Sequence, residues 1–213
     1  MKDSFAHSAP KFIQSQATLD LIDILSPYVT YEKIPANRRL YYCLDGVHMC
    51  YLIRSGLIKI RRNSDDFVIA FLPVPNLVGV TNLLPESSGL YLELQTESEI
   101  ATITTAHAHE LIANNNAWEL LAGHIAKVSS NLLNHEIIMT APTSYELLRF
   151  QLIGLMKEPV NVRKSTSAAK YILERTRLSR STVMKMLAQL KQGGYIELVD
   201  GMLLAVHQLP SKY

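Results

Sequence analysis

At 213 residues, with 48% hydrophobic and 19% charged side chains, the chain is long enough for one large or two ordinary domains and too apolar to be broadly disordered. No apolar run approaches the ~20 residues needed to cross a bilayer, and the opening Met1-Lys-Asp-Ser-Phe-Ala-His-Ser-Ala-Pro10 lacks the apolar centre of a secretory signal, so a soluble cytoplasmic protein is expected. The net charge of +2 conceals a division: residues 1–140 carry ten Lys and Arg against fourteen Asp and Glu, whereas residues 141–213 carry eleven against five.

Residues 16–26 read as a short helix, with Leu19, Ile22 and Leu25 on one face and Pro27 closing it. From Tyr28 to about Thr104 the pattern changes to short runs rich in β-branched and aromatic residues: 28–34, 49–53, 57–60, 67–72, 91–94 and 100–103. Turn signals at Asp45-Gly46, Ser55-Gly56, Asn63-Ser-Asp-Asp66 and Pro73-Val-Pro75 separate them, which predicts a small antiparallel barrel or roll. The two cysteines, Cys43 and Cys50, fall in strand-like surroundings and match no zinc or iron–sulfur spacing. They read as small buried hydrophobes, with a redox-responsive pair across a turn as the alternative.

After Thr104 the period lengthens. Residues 107–114 predict one or two helical turns, and Asn115 or Asn116 is expected to cap a longer helix that runs to about Thr140 before Pro142. Within it Leu121, Ile125, Val128, Leu132, His135 and Met139 recur at alternating spacings of four and three, the seam of a coiled coil. A neighbouring stripe, Ala122, Ala126, Ser129, Leu133 and Ile137, is expected to face the barrel, which leaves the seam for dimerisation. His135 lies in that seam, where it would make dimer contacts.

Residues 143–156 predict a further amphipathic helix, and a polar stretch from Lys157 to Ser167 leads on to two short helices joined by a tight turn. Ser179 caps the second, in which Val183, Met186, Leu187 and Leu190 make one buried face and Arg180, Ser181, Met184 and Lys185 the opposite one. That is the layout of a helix-turn-helix, whose second helix reads base edges from its N-terminal turns. Gly193-Gly194 ends this helix, and two strand-like runs around Asp200-Gly201 add a hairpin wing able to lie along the phosphate backbone. Between Arg163 and Lys191 stand eight basic residues and one acid, Glu174, the electrostatic footprint of phosphate contact. Arg180 is the foremost candidate for base contact, because a guanidinium pairs bidentately with guanine O6 and N7. Lys185 reaches a base or a phosphate; Ser179, Ser181 and Thr182 cap the helix or hold phosphate; Lys170, Arg175, Arg177 and Lys191 position the DNA backbone.

The order β-roll, long helix, winged helix-turn-helix resembles the CRP/FNR superfamily of bacterial transcription regulators over nearly the whole chain. The resemblance is most specific in Leu178-Ser-Arg-Ser-Thr-Val183, and extends to Ser55-Gly-Leu-Ile-Lys59 and Leu77-Val-Gly79 in the roll. More narrowly, Arg175-Thr-Arg-Leu-Ser-Arg-Ser181 and the ending Leu209-Pro-Ser-Lys-Tyr213 look like an enterobacterial branch described as inhibitors of hydrogen-peroxide resistance, which implies a role in stress response. The resemblance implies an α+β architecture: an antiparallel roll like a cyclic-nucleotide-binding domain (1–115), a central dimerisation helix (116–141) and a winged helix-turn-helix (142–213). Family members that bind cyclic AMP place a Glu after the roll's Gly and an Arg-Ser or Arg-Thr pair further on. Here Gly79 is followed by Val80, and no Arg or Lys occurs between Arg62 and Lys127. The oxygen-sensing branch holds its cluster with N-terminal cysteines, and residues 1–42 contain none. Neither sensing chemistry is expected, and the turn position often held by Gly is Arg177.

The expected partners are double-stranded DNA, bound at a pseudo-palindromic operator, and a second copy of the chain. An unknown small-molecule effector in the roll would bias the paired DNA-binding domains through the central helix. No cofactor or metal is expected, and no Gly-rich phosphate loop, Ser nucleophile elbow or carboxylate pair makes a case for an enzyme. The alternative is a ligand- or metal-binding roll protein, drawing on His107-Ala-His109-Glu110, whose C-terminal domain mediates protein contacts.

Overall fold

In the computed structural model, which describes residues 15–81 and 89–210, the strand-rich part of the chain forms two antiparallel sheets. One contains β1 (Glu32–Ile34), β9 (Ser98–Thr104), β4 (Val47–Ser55) and β3 (Cys43–Leu44) in that order, with β7 (Asn76–Val78) also paired to β4. The other runs β2 (Arg39–Tyr41), β8 (Leu90–Leu94), β5 (Ile58–Arg62), β6 (Val68–Leu72). Side chains alternate along a strand, and β4 uses both faces. Tyr51 and Ile53 join Ile100 from its own sheet and Ile58, Leu92 and Leu94 from the other to fill the interior of the roll. Cys50 and Leu52 point the opposite way, into a second core with Leu77 and Ala101.

Helices close that second core. They are α1 (Gln16–Leu25), α2 (Thr105–Asn114) and the start of α3 (Trp118–Met139), which contribute Leu21, Ile22, Leu25, Leu111, Ile112 and Leu121. Each buried Leu or Ile stabilises the fold by about 1.5–3 kcal/mol relative to exposure. Ser15 caps α1 by accepting from the Thr18 amide, and the Thr18 hydroxyl meets His124 Nδ1 at 2.9 Å in the buried contact between α1 and α3. Gly79, at φ +87°, is required by close approach: a Cβ there would collide with the Met49 carbonyl oxygen.

The chain divides into two compact units, with the boundary inside α3 between Ser130 and Asn131. The second unit contains α4 (Ser144–Lys157), α5 (Val160–Ser165), α6 (Ala168–Arg175), α7 (Arg180–Gln192) and the hairpin β10 (Ile196–Val199) and β11 (Met202–Val206). Its core gathers Tyr145, Leu148, Leu152 and Leu155 of α4, Ile172 of α6, Val183, Leu187 and Leu190 of α7, and Leu203 of the hairpin, all buried.

The roll, the long helix and the winged helix-turn-helix agree with expectation; several details differ. Tyr28 ends a 3₁₀ turn, Ser26–Tyr28, and the strand starts only at Glu32. Strands β2, β3 and β7, of two or three residues, are too short for alternation to reveal. Asn115 is the C-cap of α2 rather than the N-cap of α3, and Asn116 takes the left-handed conformation at φ +52° between the helices. The polar stretch 157–167 contains α5, which starts after Pro159 and buries Val162. In α3 the division between the two stripes differs from expectation. Leu121 is 7% exposed in the core with α1, whereas Ala122, Ala126, Ser129, Leu133 and Ile137 are all exposed, the last two at 68% and 65%. The reason is the contact with α1: Leu121 and the hydrogen-bonded His124, three residues apart, select the face that packs. Leu121 is therefore a core residue, not a dimer contact. Of the remaining seam, Ile125 and Leu132 are exposed, and Val128, His135 and Met139 are half-buried.

Candidate nucleic-acid interface

Three hydroxyls organise the start of α7. Ser179, in extended conformation, accepts from the Thr182 amide at 3.1 Å, and its oxygen also lies 2.9 Å from that of Ser181 and 2.7 Å from that of Thr182. This arrangement satisfies one of the free donors of the first turn, a contact worth about 1 kcal/mol in a typical cap. The other first-turn amides and the positive end of the helix dipole face outward, a setting that favours anionic groups. Arg180 and Lys185 are exposed beside it, and the opposite face is held down by buried Val183, Leu187 and Leu190.

The preceding turn forms without glycine. Thr176 donates its hydroxyl to the Ile172 carbonyl at 2.9 Å and accepts from the Leu178 amide at 3.4 Å, which bends the chain at the end of α6. Arg177 is absent from the residues with positive φ, so the expected glycine is not needed; its side chain is exposed. Lys170 is exposed on α6, whose N-cap Ser167 accepts from the Lys170 amide, and Lys191 is exposed in the last turn of α7.

Arg175 is the exception among the expected phosphate contacts. It is 7% exposed, lies 3.7 Å from Glu158 Oε1, and stacks its guanidinium 4.6 Å from the centre of the Tyr171 ring. Tyr171 donates its hydroxyl to the same Glu158 carboxylate at 2.9 Å. Burial raises the Glu158 pKa and the Arg175 charge opposes that rise. Arg175 thus stabilises the packing of α6 against the end of α4 and is removed from the surface that could meet DNA. Its periodic position at the end of a short helix could have signalled this, because residues 168, 171, 172 and 175 share the buried face.

The hairpin is fastened to the helix-turn-helix, since the Ala168 amide donates to the Gly201 carbonyl at 2.9 Å. Its charged side chains are acidic: Glu197, which meets His207 at 2.9 Å, and Asp200. No Lys or Arg lies between Lys191 and Lys212, so contact of this wing with phosphate would fall to backbone amides.

The other constellations are dispersed. His107 pairs with Glu110 on the surface of α2, whereas His109 bonds to the Val80 carbonyl at 2.8 Å; among the described residues no three His, Cys, Asp or Glu side chains are grouped to hold a metal. Cys43 is cross-strand from His48, which makes it a diagonal neighbour of Cys50. Diagonal pairs are separated by about 7–8 Å, beyond ordinary disulfide reach. Cys50 is fully buried and its thiol pKa is raised by desolvation, which suppresses the reactive thiolate. His135 has its pKa lowered by burial and by the Arg175 charge. Among the described residues no helix is long and apolar enough to cross a membrane.

Residues 144–211 match the family of winged helix-turn-helix DNA-binding domains. Over 209 residues, covering 97% of this chain and 99% of the relative, the sequence is 29% identical to the inhibitor of hydrogen peroxide resistance of Escherichia coli K12. Among solved structures, the c-di-GMP-responsive global regulator CLP of Xanthomonas campestris superposes with a TM-score of 0.69 at 17% identity, over 90% of this chain and all of that one. A CooA mutant from Carboxydothermus hydrogenoformans gives 0.67 at 15% identity, covering 92% and 94%. The same fold is shared with a CRP/FNR-family regulator from Eubacterium rectale, at a TM-score of 0.59 and 14% identity over 88% of this chain and 89% of that one.

Proposed function

We propose that this chain, a CRP/FNR-type fold ending in a DNA-binding winged helix-turn-helix, is a homodimeric transcription regulator that reads a pseudo-palindromic operator. The observation that carries this reading is the first two turns of α7: a hydroxyl-capped helix start with Arg180, Ser181 and Lys185 exposed opposite a buried Val183, Leu187 and Leu190 face. Arg180 pairs with a guanine edge; Lys185, Lys170, Arg177 and Lys191 neutralise phosphates, while Ser181 and Thr182 donate to them. Dimerisation rests on the exposed apolar face of α3, including Ile125, Leu132, Leu133 and Ile137. Two recognition helices about 34 Å apart would then enter successive major grooves. Similarity to the Escherichia coli inhibitor of hydrogen peroxide resistance supports a place in peroxide-stress gene control.

The test is a gel shift of the full chain against genomic fragments at two salt concentrations. Binding is expected to weaken steeply with salt, and Arg180→Ala to lose about 1–3 kcal/mol on the preferred fragment with little change on unrelated DNA. Retention that ignores both salt and Arg180 would favour a protein-contact role for the C-terminal domain instead.

A further inference from the structure

We propose that Met184 reads the 5-methyl group of a thymine in the major groove, within about two base pairs of the guanine held by Arg180. The inference rests on the DNA-binding reading above and adds a base to it. Val183, Leu187 and Leu190 are buried and Met186 is half-buried, so the apolar demand of α7 is met by the opposite side of the helix. Met184 takes no part in that core. It is 50% exposed on the same face as Arg180, Ser181 and Lys185. Arg180 and Met184 also line one pocket between α6 and α7, with Lys170, Leu173 and Glu174 among its other walls, so the two side chains border the same space.

The chemistry follows from what the major groove offers. Its hydrogen-bonding edges call for Arg, Lys and hydroxyls; its apolar feature is the thymine methyl. An unbranched, polarisable thioether adapts its shape to such a small protrusion. Residues 180 and 184 are one turn apart, about 6 Å along the helix, and stacked bases are spaced about 3.4 Å apart, so the two side chains address neighbouring positions of one half-site. Charged residues alone would leave this position of the operator unread; Met184 supplies discrimination by contact and water exclusion.

Replacing thymine by uracil removes the methyl and leaves base pairing intact. A fragment selected from random DNA by the full chain would be resynthesised with uracil at each thymine in turn, and binding followed by fluorescence anisotropy. One thymine per half-site is expected to matter, with about fourfold weaker binding on uracil. Met184→Ala should bind the thymine and uracil fragments alike, and Met184→Leu should restore the preference. Equal binding of all uracil fragments by the unaltered protein would overturn the role of Met184, as would a thymine preference that persists in Met184→Ala. Either result leaves the Arg180 contact standing. Failure of the chain to bind any fragment in a salt-dependent way would remove the DNA-binding reading itself.

Discussion

Arg175 and Lys185 are ten residues apart in a strongly basic segment, and physical context gives them opposite tasks. Arg175 is enclosed with Glu158 and Tyr171, so removing its charge leaves a carboxylate buried without its cation. Arg175→Ala should therefore destabilise the C-terminal unit, on the order of 3 kcal/mol, read as a shift in its denaturation midpoint. Lys185 stands in solvent, so Lys185→Ala should leave the midpoint unchanged and reduce the slope of log affinity against log salt by about one. Sequence spacing identified the exposed face of α7, because Val183, Leu187 and Leu190 mark its buried side unambiguously. The same spacing places Arg175 on the buried face of α6 with Ala168, Tyr171 and Ile172, and leaves Arg177 outside it. What it could not supply is the partner of that buried charge, Glu158, seventeen residues away, which no local pattern connects to α6. In α7 the same spacing puts Met184 on the outer face, where an apolar side chain carries no charge to mark it as a DNA contact.

At the scale of elements, α3 shows what periodicity decides and what it leaves open. The seam spacing identifies a long helix with two apolar stripes; the side that packs is the one that brings Leu121 into the core with α1 and His124 to Thr18, a residue more than a hundred positions earlier. Gly123, next to His124, lets α1 come close, since a Cβ there would lie 2.8 Å from that of Ala17. Burial lowers the His124 pKa, so the unfolded chain binds a proton at a pH where the folded one resists it. The stability this confers is fully present above about pH 6.5 and is lost as the pH falls through that value toward the depressed folded pKa. Thermal unfolding between pH 7.5 and 5.5 should show a drop in Tm that His124→Gln reduces. An unchanged drop in the variant would exclude His124 as its source. His135, lowered by burial and Arg175, contributes with the same sign in the other unit.

For the whole molecule, assembly is the property on which the proposed pairing of two DNA-binding domains depends. Leu133 and Ile137 are exposed on α3, and charging both, as Leu133→Glu with Ile137→Glu, should leave each unit folded. Light scattering is then expected to return the 23.9 kDa of a single chain, against an expected twice that mass for the unaltered protein. Affinity for a two-half-site fragment should collapse toward that for one half-site. A dimer that persists in the double variant would move the interface away from this part of the helix. Strand β4 has a different kind of reach. Its alternate residues belong to the roll interior and to the helical layer, so neither layer can open without exposing the back of the other. In hydrogen exchange its amides at Tyr51, Leu52 and Ile53 should be among the last to take up deuterium, released only when the entire N-terminal unit unfolds. A signal arriving at the roll would thus meet one cooperative body that moves or melts as a piece.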